Sequence, residues 1–151
     1  MESQINLSYI EYGSPQIRGE AGSDRFYVAA VSHGLLMVSY DEESDCFRLK
    51  NILGDHDRAD TVGIGIGRGV SYKNYVEGRK CLYISGVIDG TYGFFRSHDY
   101  GEYWERIGDD AHLFGQIRSI DGDCRVFGRF YIATGTMGLI MGEEDEEDRK
   151  S

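Results

Sequence analysis

Proline is nearly missing from this chain, with Pro15 the single example in 151 residues. Only Trp104 represents tryptophan. The cysteines are Cys46, Cys81 and Cys124, an odd number without C-x-x-C spacing. That excludes a closed disulfide framework and gives no zinc signature. Each sits in an apolar or strand-like setting and reads as a buried packing thiol. No apolar run approaches membrane-spanning length. Met1-Glu2-Ser3-Gln4 lacks a basic region followed by an apolar stretch, so no signal peptide is visible. Positive charge is in deficit, with 16 Lys plus Arg against 26 Asp plus Glu and a net charge of −10. This balance argues against nucleic acid or an anionic membrane as partner. Part of it is local, because residues 143–148 are six acids in a row. Such a run reads as a solvated tail, assigned here to residues 143–151.

Glycine and aromatic residues are plentiful instead: 21 Gly, 11 Tyr and 7 Phe. Short β-strands joined by glycine turns have this composition, and the length suits one domain with a sizeable core. One stretch is sharply patterned. Ser97-His98-Asp99-Tyr100-Gly101-Glu102-Tyr103-Trp104 reads S-x-D-x-G-x-x-W, an Asp-box, between strand-like runs on either side. The Asp99 carboxylate can accept backbone N–H bonds of a tight turn, and Gly101 can take φ > 0 without a Cβ penalty. Ser97 adds a local hydrogen bond and Trp104 plugs the underside of the turn. Ser97, Asp99, Gly101 and Trp104 are therefore read as architectural, not chemical.

A repeat surrounds the box. Tyr27-Val28-Ala29-Ala30 is echoed by Tyr83-Ile84-Ser85-Gly86 and by Tyr131-Ile132-Ala133-Thr134, at spacings of 56 and 48 residues. A glycine and an apolar strand follow each, beginning at Gly34, Gly93 and Gly138. The period is that of four-stranded propeller blades. The first unit carries a worn box in which Ser39 and Asp41 keep their places. Glu43 stands where glycine belongs, and Phe47 arrives one residue late, which predicts a surviving hairpin with a distorted turn. Innermost strands are placed at 61–67, where Gly63, Gly65 and Gly67 alternate with branched residues, and at 116–120. A dinucleotide-binding loop is excluded because no G-x-G-x-x-G frame fits and no helix follows.

The expected fold is all-β, with propeller-type blades of four-stranded antiparallel sheets over residues 26–142. Two blades are full, a third is partial, and the ring does not close within the chain. Residues 1–25 are weakly patterned, with one strand at 7–12. An unclosed ring predicts exposed apolar faces on the inner strands near 62–67 and 117–120, and hence self-association or aggregation.

Candidate chemistry is sparse. Adjacent Asp109 and Asp110 point apart in an extended segment, and Asp121 and Asp123 flank Gly122 as turn formers. His33, His56 and His98 lack ligand spacing, so neither a metal nor another cofactor is indicated. Tyr72, Tyr75, Tyr100 and Phe114 are candidate exposed aromatics, and His112 lies in the loop after Asp109-Asp110.

From residue 24 to 143 the chain resembles the C-terminal end of family 74 glycoside hydrolases, the xyloglucanases. The best-matched run is YGFFRSHDYGEYWERI at 92–107. It continues through Asp109-Asp110-Ala111-His112-Leu113-Phe114-Gly115, similar to R-I-N-D-D-x-H-Q-[FY]-G. GDCRVFGRFYI at 122–132 resembles G-D-P-R-[IV]-Y-G-R-V-Y-[IL], and TGTMGLI at 134–140 stands where the family has T-N-G-R-G-[IV]-[IV]. Gly108, Leu113, Cys124 and the Gly135-Thr136-Met137 run depart from the pattern, mostly in loops. The resemblance implies two seven-bladed propellers around a cleft for a xylose-substituted β-1,4-glucan, cleaved with inversion by an aspartate pair. Both aspartates would lie early in each propeller, so no catalytic residue carries over. It also implies a polysaccharide partner, with His112, Phe114 and Tyr100 as candidate sugar contacts, and secretion, although localisation stays unassigned without a visible signal peptide. The resulting expectation is the C-terminal portion of a glucan-active hydrolase, inactive alone. An Asp-box carbohydrate-binding or protein-interaction module that oligomerises is the alternative, as is a truncated product without independent function.

Overall fold

The structure, a computed structural model, describes residues 15–110 and 113–144. Among these described residues eleven strands follow one another: β1 (Gln16–Gly19), β2 (Phe26–Ala29), β3 (Leu35–Asp41), β4 (Cys46–Asn51), β5 (Arg58–Ile66), β6 (Lys80–Ile88), β7 (Thr91–Ser97), β8 (Glu105–Ile107), β9 (Ile117–Gly122), β10 (Phe130–Thr134) and β11 (Leu139–Gly142). A 3-10 turn, Tyr72–Asn74, interrupts the β5–β6 connection. Three sheets result, ordered β1-β2-β3-β4, β5-β6-β7-β8 and β9-β10-β11, and every pairing is antiparallel. They form an unclosed fan of propeller blades, two of four strands and one of three.

Local chemistry explains the hairpins. Asp89 and Gly90 both take positive φ, 51° and 78°, between β6 and β7. That is the two-residue turn whose twist matches the flanking strands. Strands β2, β6 and β10 carry the Tyr-led repeat and lie second in their sheets. The inner strands converge: Gln16 Nε2 donates to the Arg118 carbonyl at 2.6 Å, and Ile66 N donates to the Asp123 carbonyl at 3.2 Å.

The second sheet is packed on both faces. Val62, Ile64, Leu82, Ile84 and Phe95 join Tyr27, Ala29 and Leu35 of the first sheet in one core. Cys81, Tyr83 and Phe94 join Ile120 and Ile132 of the third sheet in another. Strand β5 sorts its residues accordingly. A Cβ on Gly63 would lie 2.4 Å from the Asp121 Cα, and one on Gly65 would lie 3.0 Å from the Gly122 Cα. Glycine there lets two backbones touch.

Four expectations need correction. Residues 59–66 are nearly all buried, and so is Ile120. Exposed apolar residues lie elsewhere, among them Ile17 of β1, Val76 and Tyr103 in the connections of the second sheet, and Leu139 and Met141 of β11. The strands of the central blade are covered on both faces, so its inner strand does not present an open apolar face. A strand, β1, lies within the segment read as weakly patterned, while residues 7–12 fall outside the described part. The thiols do not share one environment: Cys81 is buried, Cys46 half-buried and Cys124 exposed. Burial pushes the Cys81 thiol up to about 12. Finally, the acidic run is not solvated throughout: Glu143 is exposed and bonds Arg129 at 2.6 Å, but Glu144 is buried beside Arg96 at 2.5 Å.

Candidate functional site

The Asp-box turn joins β7 to β8. Ser97 Oγ donates to Asp99 Oδ1 at 2.8 Å and accepts from Gly101 N at 2.8 Å. Asp99 Oδ1 also accepts from Tyr103 N at 2.9 Å. Tyr100 and Gly101 both have positive φ, 56° and 91°. Trp104 packs against the core between the first and second sheets, and its Nε1 donates to the Ile52 carbonyl at 3.2 Å. The box thus fastens one blade to the end of its neighbour's outer strand.

Burial pushes the Asp99 carboxyl up, but the bonds from Tyr103 N–H and the Ser97 hydroxyl outweigh it and hold the pKa below its ordinary 3.8. A lowered carboxyl contributes stability above the ordinary value and loses it as pH falls through the lower folded value. Asp99→Ala is expected to cost about 1–2 kcal/mol at neutral pH, by analogy with the loss of a capping carboxylate. Urea midpoints of both proteins should converge as the pH drops below the ordinary carboxylate range. A gap that is constant down to acid pH would remove the carboxylate from the explanation.

The worn box differs. Asp41 accepts from Glu43 N at 3.1 Å and Ser44 Oγ at 2.9 Å, and pairs with Arg48. Ser39 sits in β3 opposite Arg48 of β4. Asp45 takes positive φ, 51°. Phe47 lies against Phe26 and Tyr40 with ring centroids 6.2 and 5.4 Å away, and stays 42% exposed. One residue of delay turns a strand side chain to the opposite face. Phe47 therefore does not plug the seam as Trp104 does.

A cleft of about 330 Å³ lies beside the intact box, lined by Lys50–Gly54, Tyr100–Glu102 and Trp104. The proposed sugar contacts are scattered. Tyr100 borders this cleft, but the Arg25 guanidinium covers its ring at 4.5 Å and its hydroxyl accepts from Lys80 N at 3.2 Å. Phe114 packs against the other core, 6.1 Å from Phe94. His112 lies outside the described residues. The Tyr75 ring carries the Lys80 ammonium at 4.5 Å, and Tyr72 lies in the 3-10 turn of the same connection. Lys80 is itself buried, donating to the carbonyls of Tyr75 and Gly78, and burial lowers its pKa.

The carboxylates are structurally engaged. Asp110 pairs with Arg106 at 2.6 Å. Asp121 accepts from Ile64 N at 3.0 Å, and Asp123 accepts from Arg125 N, Val126 N and the Tyr131 hydroxyl. A cluster that sequence spacing did not suggest joins His98, Glu105 and Glu144, whose potential ligand atoms lie within 4.8 Å of one another. Arg96 already bridges its two carboxylates, each at 2.5 Å. Burial and the adjacent Arg96 charge lower the His98 pKa, so its ring favours the neutral form. An arginine in that place supplies the positive charge that a metal would bring.

No protein-family profile matches the chain. Individual relatives do. Xyloglucanase Xgh74A of Acetivibrio thermocellus is 36% identical over 150 residues, 94% of this chain. A xyloglucanase of a Paenibacillus species is 37% identical over 108 residues, 72% of this chain. The chain spans 17% and 10% of those relatives' lengths. Among solved structures, the GH74 xyloglucanase of Xanthomonas campestris superposes with a TM-score of 0.69 at 32% identity, over 95% of this chain and 18% of that one. The GH74 enzyme of Niastella koreensis gives 0.71 at 30% identity, over 89% and 18%. In sequence and in blade architecture alike, the chain is a portion of a β-propeller of glycoside hydrolase family 74.

Proposed function

We propose that this chain is the C-terminal propeller portion of a xyloglucan- or β-1,4-glucan-active glycoside hydrolase, contributing polysaccharide-binding surface and no catalytic carboxylate. The observation that carries the reading is near-full coverage of the chain by xyloglucanase sequence at 36% identity. Inverting hydrolysis needs two carboxyl groups free to work as acid and base across the scissile bond. Asp110, Asp121 and Asp123 are instead committed to Arg106 and to backbone N–H groups. Tyr100, His112 and Phe114 are the positions proposed to meet sugar, Tyr100 through the edge that borders the cleft.

The purified chain is expected to release no reducing ends from xyloglucan or mixed-linkage β-glucan above a buffer blank. Release that persists after Asp109 and Asp110 are both changed to alanine would place a working acid/base pair elsewhere in the chain and overturn the reading. The DNA upstream supplies a second check: further Asp-box blades in the same frame support the enzyme portion. An interaction module is the second reading, favoured by the exposed Leu139 and Met141 of β11.

A further inference from the structure

We infer that the seam between the second and third sheets is a proton-operated joint: a protonated His98 competes with Arg96 for the same two carboxylate oxygens, and the seam loosens as the pH falls. Both sheets of this seam lie within the chain, so the joint is complete whatever blades precede or follow them, and it owes nothing to sugar binding. Its centre is a clasp. Arg96 of β7 lies opposite Glu105 of β8. The Arg96 Nε donates to Glu105 Oε1 at 2.5 Å, and its Nη1 lies 2.5 Å from Oε1 of Glu144, two residues beyond β11. One guanidinium thereby ties the outer hairpin of the second sheet to the third. The tie is deep, with the Arg96 and Glu144 side chains only 7% and 2% exposed.

His98 stands against this clasp. Its Nε2 is 3.3 Å from Glu105 Oε1 and 3.9 Å from Glu144 Oε1, the very oxygens that Arg96 holds. The ring of Phe127, in the β9–β10 connection, lies over the imidazole with centroids 5.3 Å apart. Both imidazole nitrogens are buried, and among the described residues neither has a hydrogen-bond partner. A neutral ring leaves the two carboxylates to Arg96. An imidazolium carries two N–H donors, and it must draw an oxygen away from Arg96 or stay unsatisfied beside a like charge.

The surrounding charge decides the direction. Asp99, Glu105 and Glu144 face the ring with negative charge. Against them stand Arg96, Arg68, whose guanidinium lies 5.3 Å from the Phe127 ring centroid, and Arg79, whose Nη2 donates to the His98 carbonyl at 3.2 Å. Glu143 is paired with Arg129. Cys81 and Tyr83 of β6, beside Arg96 and Glu144, are kept protonated by burial. A proton on His98 is thus a surplus charge in a buried place. Burial first, and Arg96 second, hold its pKa below the ordinary 6.5. Opening the seam returns the ring to water and to its ordinary proton affinity. The closed seam keeps its full stability above pH 6.5 and loses it as the pH falls through 6.5 towards the lower closed-state value. The first seam has no histidine in its ion network, where Glu20 pairs with Arg25 at 2.8 Å and accepts from the Tyr27 hydroxyl at 3.1 Å.

Hydrogen–deuterium exchange of the full chain, corrected for the intrinsic pH dependence of exchange, tests the joint. Between about pH 8 and about pH 5.5, β10 and β11 should gain at least about threefold in exchange rate, while β2 and β3 should not change. His98→Gln keeps a neutral side chain at both pH values and should abolish the difference. No acid effect, equal loosening of the first and third sheets, or an effect retained in His98→Gln would each overturn the proposal. If that variant fails to fold, proton NMR of the unaltered chain decides the matter. The His98 ring protons, identified by their cross-peaks to the Phe127 ring, should titrate with a midpoint below the ordinary 6.5, and a midpoint at or above it would overturn the joint.

Discussion

Gly63→Ala is expected to lower the free energy of unfolding by about 3 kcal/mol, the upper part of the range for overpacking a close-packed interior. The added methyl would meet the Asp121 Cα and the Ile120 carbonyl oxygen, each at 2.4 Å. Both are backbone atoms of β9, so no side chain can swing aside. The third sheet would have to retreat, stretching the bond from Ile64 N to Asp121 Oδ1, now 3.0 Å, and that from Ile66 N to the Asp123 carbonyl, now 3.2 Å. Gly19→Ala in β1 is the control, because its Cβ would meet nothing within 4 Å. Urea unfolding followed by circular dichroism compares the two. A Gly63→Ala loss no greater than that of Gly19→Ala would mean that β5 and β9 do not touch as described.

Trp104→Ala should cost a similar amount, about 3 kcal/mol, at the low end for large aromatic truncations because the ring is only partly buried. Two losses combine: ring contact with the core between the first and second sheets, and the Nε1 bond to the Ile52 carbonyl. Trp104→Phe separates them. It keeps most of the apolar ring and leaves the carbonyl without its donor, which should cost about 1 kcal/mol. Equal losses for the two substitutions, measured by the same urea titration, would show that the hydrogen bond and not the packing holds the turn.

Much of this architecture was legible because its devices are local. An aspartate, a serine and a glycine at fixed offsets define a turn whatever surrounds it, and Tyr-led strands at a propeller period reveal the blades. What the sequence hid depends on distant neighbours. Gln16–Gly19 becomes a strand because Phe26–Ala29 pairs with it, not through any strong preference of its own. Val62 and Ile64 are buried because the first sheet packs on their face of β5, a contact between segments more than 20 residues apart. Glu144 looked solvated in an acidic run until Arg96, 48 positions earlier, came beside it. Phe47 shows a subtler limit, since its side of the sheet follows from counting by twos and was readable in principle. The candidate sugar contacts are ring side chains in loops, and loop aromatics also serve as lids for buried cations, as Tyr75 does for Lys80.

The anchoring of Trp104 to Ile52 has an optical consequence. The chain's single indole sits in the seam between the first and second sheets, while the other seam is lined by Tyr83, Phe94 and Phe130. Tryptophan emission is therefore a gauge of one blade boundary alone. Separation of the first sheet would bring water to the indole and shift its colour, whereas peeling of the third would leave the emission where it was.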